Sequence, residues 1–158
     1  MTEIAELLMG DPRVDITVPK DDLAMPFLIA HEGGHPAIVR LLLEDPRIDP
    51  NLCMADDKSP LHMSAQNGFL DCVKELLAYE GLVEVNKVRI SDQKTARDVA
   101  LWAARRPKWV WEAGEKDRER REVNCPLIAE LIASYAANPQ EVRKKLAFEL
   151  GVHGKLPG

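Results

Sequence analysis

Two stretches of the chain match each other at a constant spacing, and this internal repeat constrains the fold more than any other feature. One stretch reads MPFLIAHEGGHPAIVRLLL from Met25, and the other reads SPLHMSAQNGFLDCVKELL from Ser59. Four pairs of residues lie 34 positions apart in the two stretches: Pro26 and Pro60, Gly34 and Gly68, Val39 and Val73, Leu42 and Leu76. A repeat of about 20 to 50 residues predicts an array of small units, each of which buries its apolar face against its neighbours.

Each unit predicts two short helices with a glycine between them. In the second unit, Ser59 supplies a capping hydroxyl, and the proline after it suits the first position of a helix. Gly68 suits the break that follows the first helix. Beyond the break, Leu70, Val73 and Leu77 lie on one face at helical spacing, which predicts a second, amphipathic helix.

The stretch SPLHMSAQNG resembles the T-P-L-H-x-A-A-x-x-G core of the ankyrin repeat, and the stretch from Met25 is similar through its proline, its Gly-His pair and IVRLLL. A third unit resembles the family through KTARDVA, which starts at Lys94, with its second helix displaced to CPLIAELIASYA, which starts at Cys125. The resemblance covers residues 4–136. It implies an all-α solenoid of stacked helix–turn–helix units with hairpin-like loops.

The resemblance also assigns structural roles to two polar residues. In the family, the histidine at the position of His62 helps to bond neighbouring repeats together. Asp98 replaces this histidine in the third unit, and we expect it to make a local capping or inter-repeat hydrogen bond.

The predicted layout is a single domain over residues 1–151. Its parts are an N-terminal half-repeat at 4–15, repeats at 21–51, 55–86 and 91–136, an insertion at 105–124 within the last repeat, and a capping helix at 138–151. The capping helix follows from the apolar spacing of Val142, Leu146 and Leu150. Residues 152–158 are expected to be a flexible tail.

The stretch HEGGH, from His31 to His35, matches H-E-x-x-H, the signature of zinc metalloproteases. That chemistry needs both histidines on one continuous helix, where they share a zinc ion while the glutamate polarises bound water. Gly33, Gly34 and Pro36 oppose such a helix, because each interior glycine costs about 1 kcal/mol and a proline about 3 kcal/mol. A zinc metallohydrolase using His31, Glu32 and His35 is therefore a remote alternative, and we expect no enzyme activity, cofactor or metal site.

The function that the resemblance implies is protein–protein interaction through a concave groove. In the family, a late position of each first helix faces this groove, and it holds Glu32, Gln66 and Trp102 in the three units. All three tryptophans, Trp102, Trp109 and Trp111, lie within ten residues at the predicted insertion. Two interpretations remain open, because tryptophans are frequent both in protein interfaces and in buried cores. They either pack beneath the insertion or contact a partner.

Three short stretches are predicted to project as loop tips: Lys20–Leu23, Cys53–Lys58 and Arg89–Lys94. Their five aspartates would make one edge of the array acidic and suit a basic partner surface, with ordinary solubility as the alternative explanation. Together with the groove and the tryptophans, the candidate binding residues are Asp21, Asp22, Glu32, Asp56, Lys58, Gln66, Asp92, Trp102, Trp109 and Trp111.

Composition limits the other classes of partner. The net charge of −5 and the isoelectric point of about 5.4 argue against nucleic acid or an anionic membrane. The three cysteines form no C-x-x-C motif, and no stretch is apolar enough to predict a membrane span. These features predict a cytoplasmic protein, with a secreted effector that acts inside another cell as the alternative that would look the same. We expect a monomer, with a self-associating structural module and its homodimer as the alternative.

Overall fold

The computed structural model describes residues 20–46, 48–53, 57–79, 83–105 and 115–151. The half-repeat predicted at 4–15, the candidate residues Asp56, Trp109 and Trp111, and the tail at 152–158 lie outside these ranges.

Seven helices and no strand form the described part of the chain. They are α1 (Lys20–Gly33), α2 (Pro36–Leu43), α3 (Pro60–Asn67), α4 (Leu70–Ala78), α5 (Ala96–Ala104), α6 (Glu115–Ala137) and α7 (Pro139–Glu149). The first six pair as helix–turn–helix units, which we call unit one (α1 and α2), unit two (α3 and α4) and unit three (α5 and α6).

The units stack in chain order. The first helices pack in the order α1, α3, α5, and the second helices pack in the order α2, α4, α6. A continuous apolar core runs between the two rows and includes Val39, Val73 and Ile128, one buried residue from each unit. Each unit therefore depends on its neighbour for burial, as a repeat array requires.

Unit three carries a polar residue where units one and two carry core residues. Phe27 and Leu61 are fully buried, whereas Arg97 is exposed at the equivalent position of unit three. A terminal unit needs a polar outer face to stay soluble. The sequence of unit three thus marks the end of the stack.

Glycines in the left-handed conformation form the turns of units one and two. Gly34 has φ +73° and Gly68 has φ +72°, values that favour glycine over any residue with a side chain. A Cβ atom on Gly34 would lie 2.5 Å from the ring of Phe69, and one on Gly68 would lie 3.1 Å from the Cα of Arg121. Both turns therefore also allow close approach of the next unit.

Helix α6 is much longer than the other second helices, and this differs from the prediction. Residues 115–124 were predicted as part of an insertion before a second helix that starts at Cys125, but they form the N-terminal part of α6. At 1.5 Å per residue, its 23 residues span about 34 Å. The extension lies against the turn of unit two, where Arg120 donates to the carbonyl of Asn67 (2.9 Å) and Asn124 donates to that of Gly68 (2.9 Å).

Helix α7, over the residues predicted to form a cap, packs on the second helices α4 and α6. Lys74 of α4 pairs with Glu149 at 2.9 Å. Arg40 of α2 donates to the carbonyl of Leu150 at 3.2 Å, so the end of α7 reaches unit one. The helix therefore runs along the second-helix side of the array.

Candidate protein-binding surface

Three side chains line equivalent positions of the first helices. Glu32 near the end of α1 is exposed, Gln66 in α3 is half-buried, and Trp102 in α5 is 41% exposed. Because α1, α3 and α5 are stacked, these positions follow one another along the same side of the array. Charge and shape change along this row, from a carboxylate in unit one to an indole in unit three.

The loop that precedes unit three is closed by its own hydrogen bonds. The N–H of Arg89 donates to the carbonyl of Lys94 (3.1 Å), and the N–H of Gln93 donates to the carbonyl of Arg89 (2.9 Å). Gln93 has φ +55°, and its side chain donates to the carbonyl of Ile90 (3.2 Å). The tip thus has a defined shape before any partner binds.

His62 attaches this loop to unit two, as the resemblance implied. Its Nδ1 accepts hydrogen bonds from the N–H of Ser59 (3.3 Å) and from the Ser59 hydroxyl (2.7 Å). Its Nε2 then carries the proton and donates to the carbonyl of Lys94 at 3.1 Å. Burial lowers the pKa of His62 and favours this neutral ring. In unit three, Asp98 makes the bonds to the N-cap residue that His62 makes in unit two. Its carboxylate accepts from the N–H and the hydroxyl of Thr95.

Lys94 connects the closed loop to α5. Its ammonium group lies 5.1 Å from the centroid of the Trp102 ring, within cation–π range. Two apolar side chains of the same loop are also exposed, Val88 at 37% and Ile90 at 63%. We call these four residues, Val88, Ile90, Lys94 and Trp102, the unit-three patch.

Val88 and Ile90 were not among the candidate residues from the sequence. Their signal is two β-branched residues two positions apart in a stretch, NKVRISDQK, that is otherwise polar or charged. Such residues normally seek burial, so their exposure in a loop points to a contact surface.

One of the three predicted loop tips is helical instead. Asp21 and Asp22 belong to α1, which begins at Lys20, so Lys20–Leu23 is not a loop. Asp92 accepts from the guanidinium group of Arg89 and from the N–H of Lys94 (3.2 Å), and these contacts lower its pKa. Its charge is therefore matched within the loop.

The remaining described candidate, Lys58, directly precedes the N-cap residue Ser59 and is half-buried. The predicted insertion contributes a different contact, because Arg120 lies over the ring of Phe69 at 4.3 Å and also pairs with Asp117 at 2.6 Å. This part of α6 therefore stabilises the turn of unit two.

The geometry opposes the zinc hydrolase that HEGGH suggested. Helix α1 ends at Gly33, and His35 lies beyond the turn as the N-cap residue of α2, so the two histidines are on different helices. His31 is fully buried and its Nδ1 lies 2.7 Å from the hydroxyl of Ser64, whereas His35 is exposed. Within the described ranges, no group of three or more His, Cys, Asp or Glu residues could hold a metal ion. Likewise, none of the helices described there has the length and hydrophobicity needed to cross a bilayer.

Comparison with known proteins agrees with the stacked units. The family model for ankyrin repeats, in three copies, matches residues 1–107 of the 158 residues. Searches of the curated proteins and of the solved structures found no match. The matched region is more than half of the chain and includes α1 to α5. The chain belongs to the ankyrin-repeat family.

Proposed function

We propose that this chain is a non-catalytic module that binds another protein through its groove and the unit-three patch. Ankyrin repeats are generally protein–protein interaction modules and are generally not enzymes. The observation that carries the proposal is the concentration of exposed apolar residues. Three of the seven exposed large hydrophobic residues in the described part of the chain, Val88, Ile90 and Trp102, lie within residues 88–102.

The loop of this surface is already ordered, which favours binding. The hydrogen bond from His62 to the carbonyl of Lys94 and the bonds within residues 89–94 hold the loop in place beside α5. Preorganised surfaces lose less conformational entropy when a partner binds. Trp102 adds a large rigid side chain, of the kind that dominates many interfaces.

The proposed domain is residues 1–151, with the half-repeat at 4–15 before unit one and α7 along the second helices. Trp109 and Trp111 remain candidate partner contacts on the strength of the sequence. Glu32 and Gln66 would extend the contact along the groove toward unit one.

The test is quantitative affinity capture from a lysate of the protein's own source, with the tagged full chain as bait. Trp102→Ala should reduce the retained partner by more than about tenfold, because truncating an interface tryptophan often costs 2 kcal/mol or more. Leu127→Ala is a matched control, because Leu127 is similarly exposed (46%) but lies on α6. A Trp109→Ala/Trp111→Ala variant tests the other two tryptophans separately.

Two results would contradict the proposal. One is a Trp102→Ala variant that remains folded by circular dichroism and keeps the same partners in the same amounts. The other is a bait that retains only its own copies and sediments as a dimer, which would favour the self-associating module.

A further inference from the structure

Lys58 and Lys94 hold equivalent positions in units two and three. Each directly precedes the N-cap residue of its unit's first helix, Ser59 for α3 and Thr95 for α5. Both lysines are partly exposed. Because packed helices lie about 8–10 Å apart, we expect the two residues to stand on one edge of the array at about that separation. The side chains of an extended peptide that share a face recur about every 7 Å, within reach of two long, mobile lysines.

Three described carboxylates around this edge, those of Asp57, Asp92 and Asp98, have partners within the chain. Asp92 bonds with Arg89, and it lies 4.0 Å from the ammonium group of Lys94. Asp57 lies 3.8 Å from the ammonium group of Lys87, which also feels the charge of Glu84.

The carboxylate of Asp98 is engaged by the N–H and hydroxyl groups of Thr95 in the capping box of α5. Lys58, in contrast, has no ion pair within the ranges that the structure describes. Lys58 and Lys94 are therefore two cations in register on this edge. A partner's carboxylate would compete with Asp92 for Lys94, whose side chain is 37% exposed.

An apolar anchor lies directly beside one of these lysines. The ammonium group of Lys94 is 5.1 Å from the Trp102 ring centroid, and both side chains are more than a third exposed. An apolar side chain that covers the indole would also exclude water from an ion pair at Lys94. Ion pairs strengthen as the local dielectric constant falls, so the two contacts would reinforce each other.

We propose that the unit-three patch, together with Lys58 of unit two, recognises an acidic peptide segment of the partner, whose carboxylates pair with Lys58 and Lys94 while a neighbouring apolar side chain covers Trp102. This inference rests on the proposed function and replaces the basic partner that the loop-tip aspartates suggested. The net charge of −5 opposes long-range attraction of an acidic partner. Recognition must therefore come from the local pair of lysines and the indole.

The experiment is selection of random 12-residue displayed peptides on the immobilised full chain, followed by fluorescence anisotropy with the selected peptides. We expect Asp and Glu to be enriched over the starting library, next to an aromatic or aliphatic residue. Enrichment of neutral or basic peptides would overturn the proposal, as would failure to select any peptide whose binding needs Trp102.

Two charge-reversal variants make the test specific. Lys58→Glu/Lys94→Glu should weaken the selected peptides about tenfold, from loss of two exposed ion pairs and added repulsion. Lys144→Glu/Lys145→Glu makes the same change in net charge at exposed positions of α7 and should change binding less than about twofold. If both variants weaken binding equally, the change in net charge alone explains the effect, and the proposal is overturned.

The result can be separated from a failure of the proposed function. If lysate capture depends on Trp102 but the selected peptides are not acidic, the partner's chemistry is wrong and the binding function stands. If neither capture nor peptide binding depends on Trp102, both proposals fail.

Discussion

The Nδ1 atom of His31 lies 2.7 Å from the hydroxyl oxygen of Ser64, although the two residues are 33 positions apart in the chain. Both side chains are fully buried between unit one and unit two. Phe27 meets the imidazole edge-on at a centroid distance of 4.8 Å, and the Nε2 atom has no hydrogen-bond partner in the described part of the chain. The contact between the two units thus contains a histidine that is stable there only when neutral.

This burial predicts acid sensitivity. Burial lowers the pKa of His31 from 6.5 to about 3, so below pH 6.5 the unfolded chain binds a proton that the folded chain excludes. The contribution to stability is complete above pH 6.5 and is lost as the pH falls from there toward 3. Between pH 7.5 and pH 5 we expect the free energy of unfolding to fall by about 2 kcal/mol through this residue, measured by urea titration.

His31→Ala should remove that part of the pH dependence. The cavity that the lost imidazole leaves will also lower stability, by a similar amount at every pH. His35→Gln, at an exposed ring four residues later, controls for the loss of a histidine. Parallel pH profiles for the wild type and His31→Ala would show that the buried imidazole is not responsible.

A buried carboxylate predicts a strongly non-additive pair of substitutions. The guanidinium group of Arg40 donates to both carboxylate oxygens of Glu75, at 3.1 and 2.9 Å from its Nε, and the Glu75 side chain is only 8% exposed. Arg40→Ala leaves this carboxylate without its partner and removes the bond to the carbonyl of Leu150. We expect it to lower the free energy of unfolding by about 2–3 kcal/mol in urea titration.

The double variant Arg40→Ala/Glu75→Leu should recover most of that loss, because no buried charge remains unpaired. Leucine is the residue at the equivalent position of unit one, Leu41. Lys74→Ala breaks a more exposed ion pair with Glu149 and should cost less than about 1 kcal/mol. A double variant as unstable as Arg40→Ala alone would disprove the stranded-charge explanation.

Two glycines with the same backbone conformation allow the cost of backbone strain to be measured apart from the cost of steric contact. Gly34 and Gly151 both have φ +73°, but a Cβ atom on Gly34 would lie 2.5 Å from the ring of Phe69, whereas one on Gly151 would meet nothing within 4 Å. Gly151→Ala should cost no more than the backbone strain of about 1–2 kcal/mol. Gly34→Ala should lower stability by at least about 1 kcal/mol beyond that, in the same urea titration.

Replacing Phe69 gives the matching test of that contact. Gly34→Ala/Phe69→Leu should be less destabilised than the sum of its two single substitutions, because the smaller side chain makes room for the added methyl group. Strict additivity would mean that the Phe69 ring does not limit the turn.

The capping box of unit three predicts what Asp98 contributes. Asp98→Ala should lower stability by about 1 kcal/mol in a thermal melt, because the N–H and the hydroxyl of Thr95 lose the carboxylate that accepts from them. Asp98→His should retain the local bond, as His62 does in unit two. We expect this variant to be no more stable than the wild type. Within the described residues, no loop of a following unit offers a carbonyl to the new Nε2, as Lys94 does to that of His62. A clear stabilisation by histidine would contradict this explanation.

The sequence alone predicted the array because the relevant signals act over short distances along the chain. The capping residues, the turn glycines and the apolar spacing in Leu70–Leu77 set helix limits and buried faces through contacts a few residues apart. The period of 34 residues then required the units to stack. The same local signals, two glycines and a proline, opposed the zinc motif, and α1 does end between its histidines.

Tertiary structure decided the polar contacts and the positions of the last two helices. Arg40 and Leu150 are 110 positions apart, and Arg120 and Asn67 are 53 positions apart, so no local pattern pairs them. Asp21 and Asp22 were predicted to lie in a loop but are part of a helix, and Asp92 is paired with the neighbouring Arg89. Helix propensity and apolar spacing depend on near neighbours in the chain. The environment of a charged or polar side chain depends instead on whichever residues the stacked units bring beside it, and those are known only once the stack has formed.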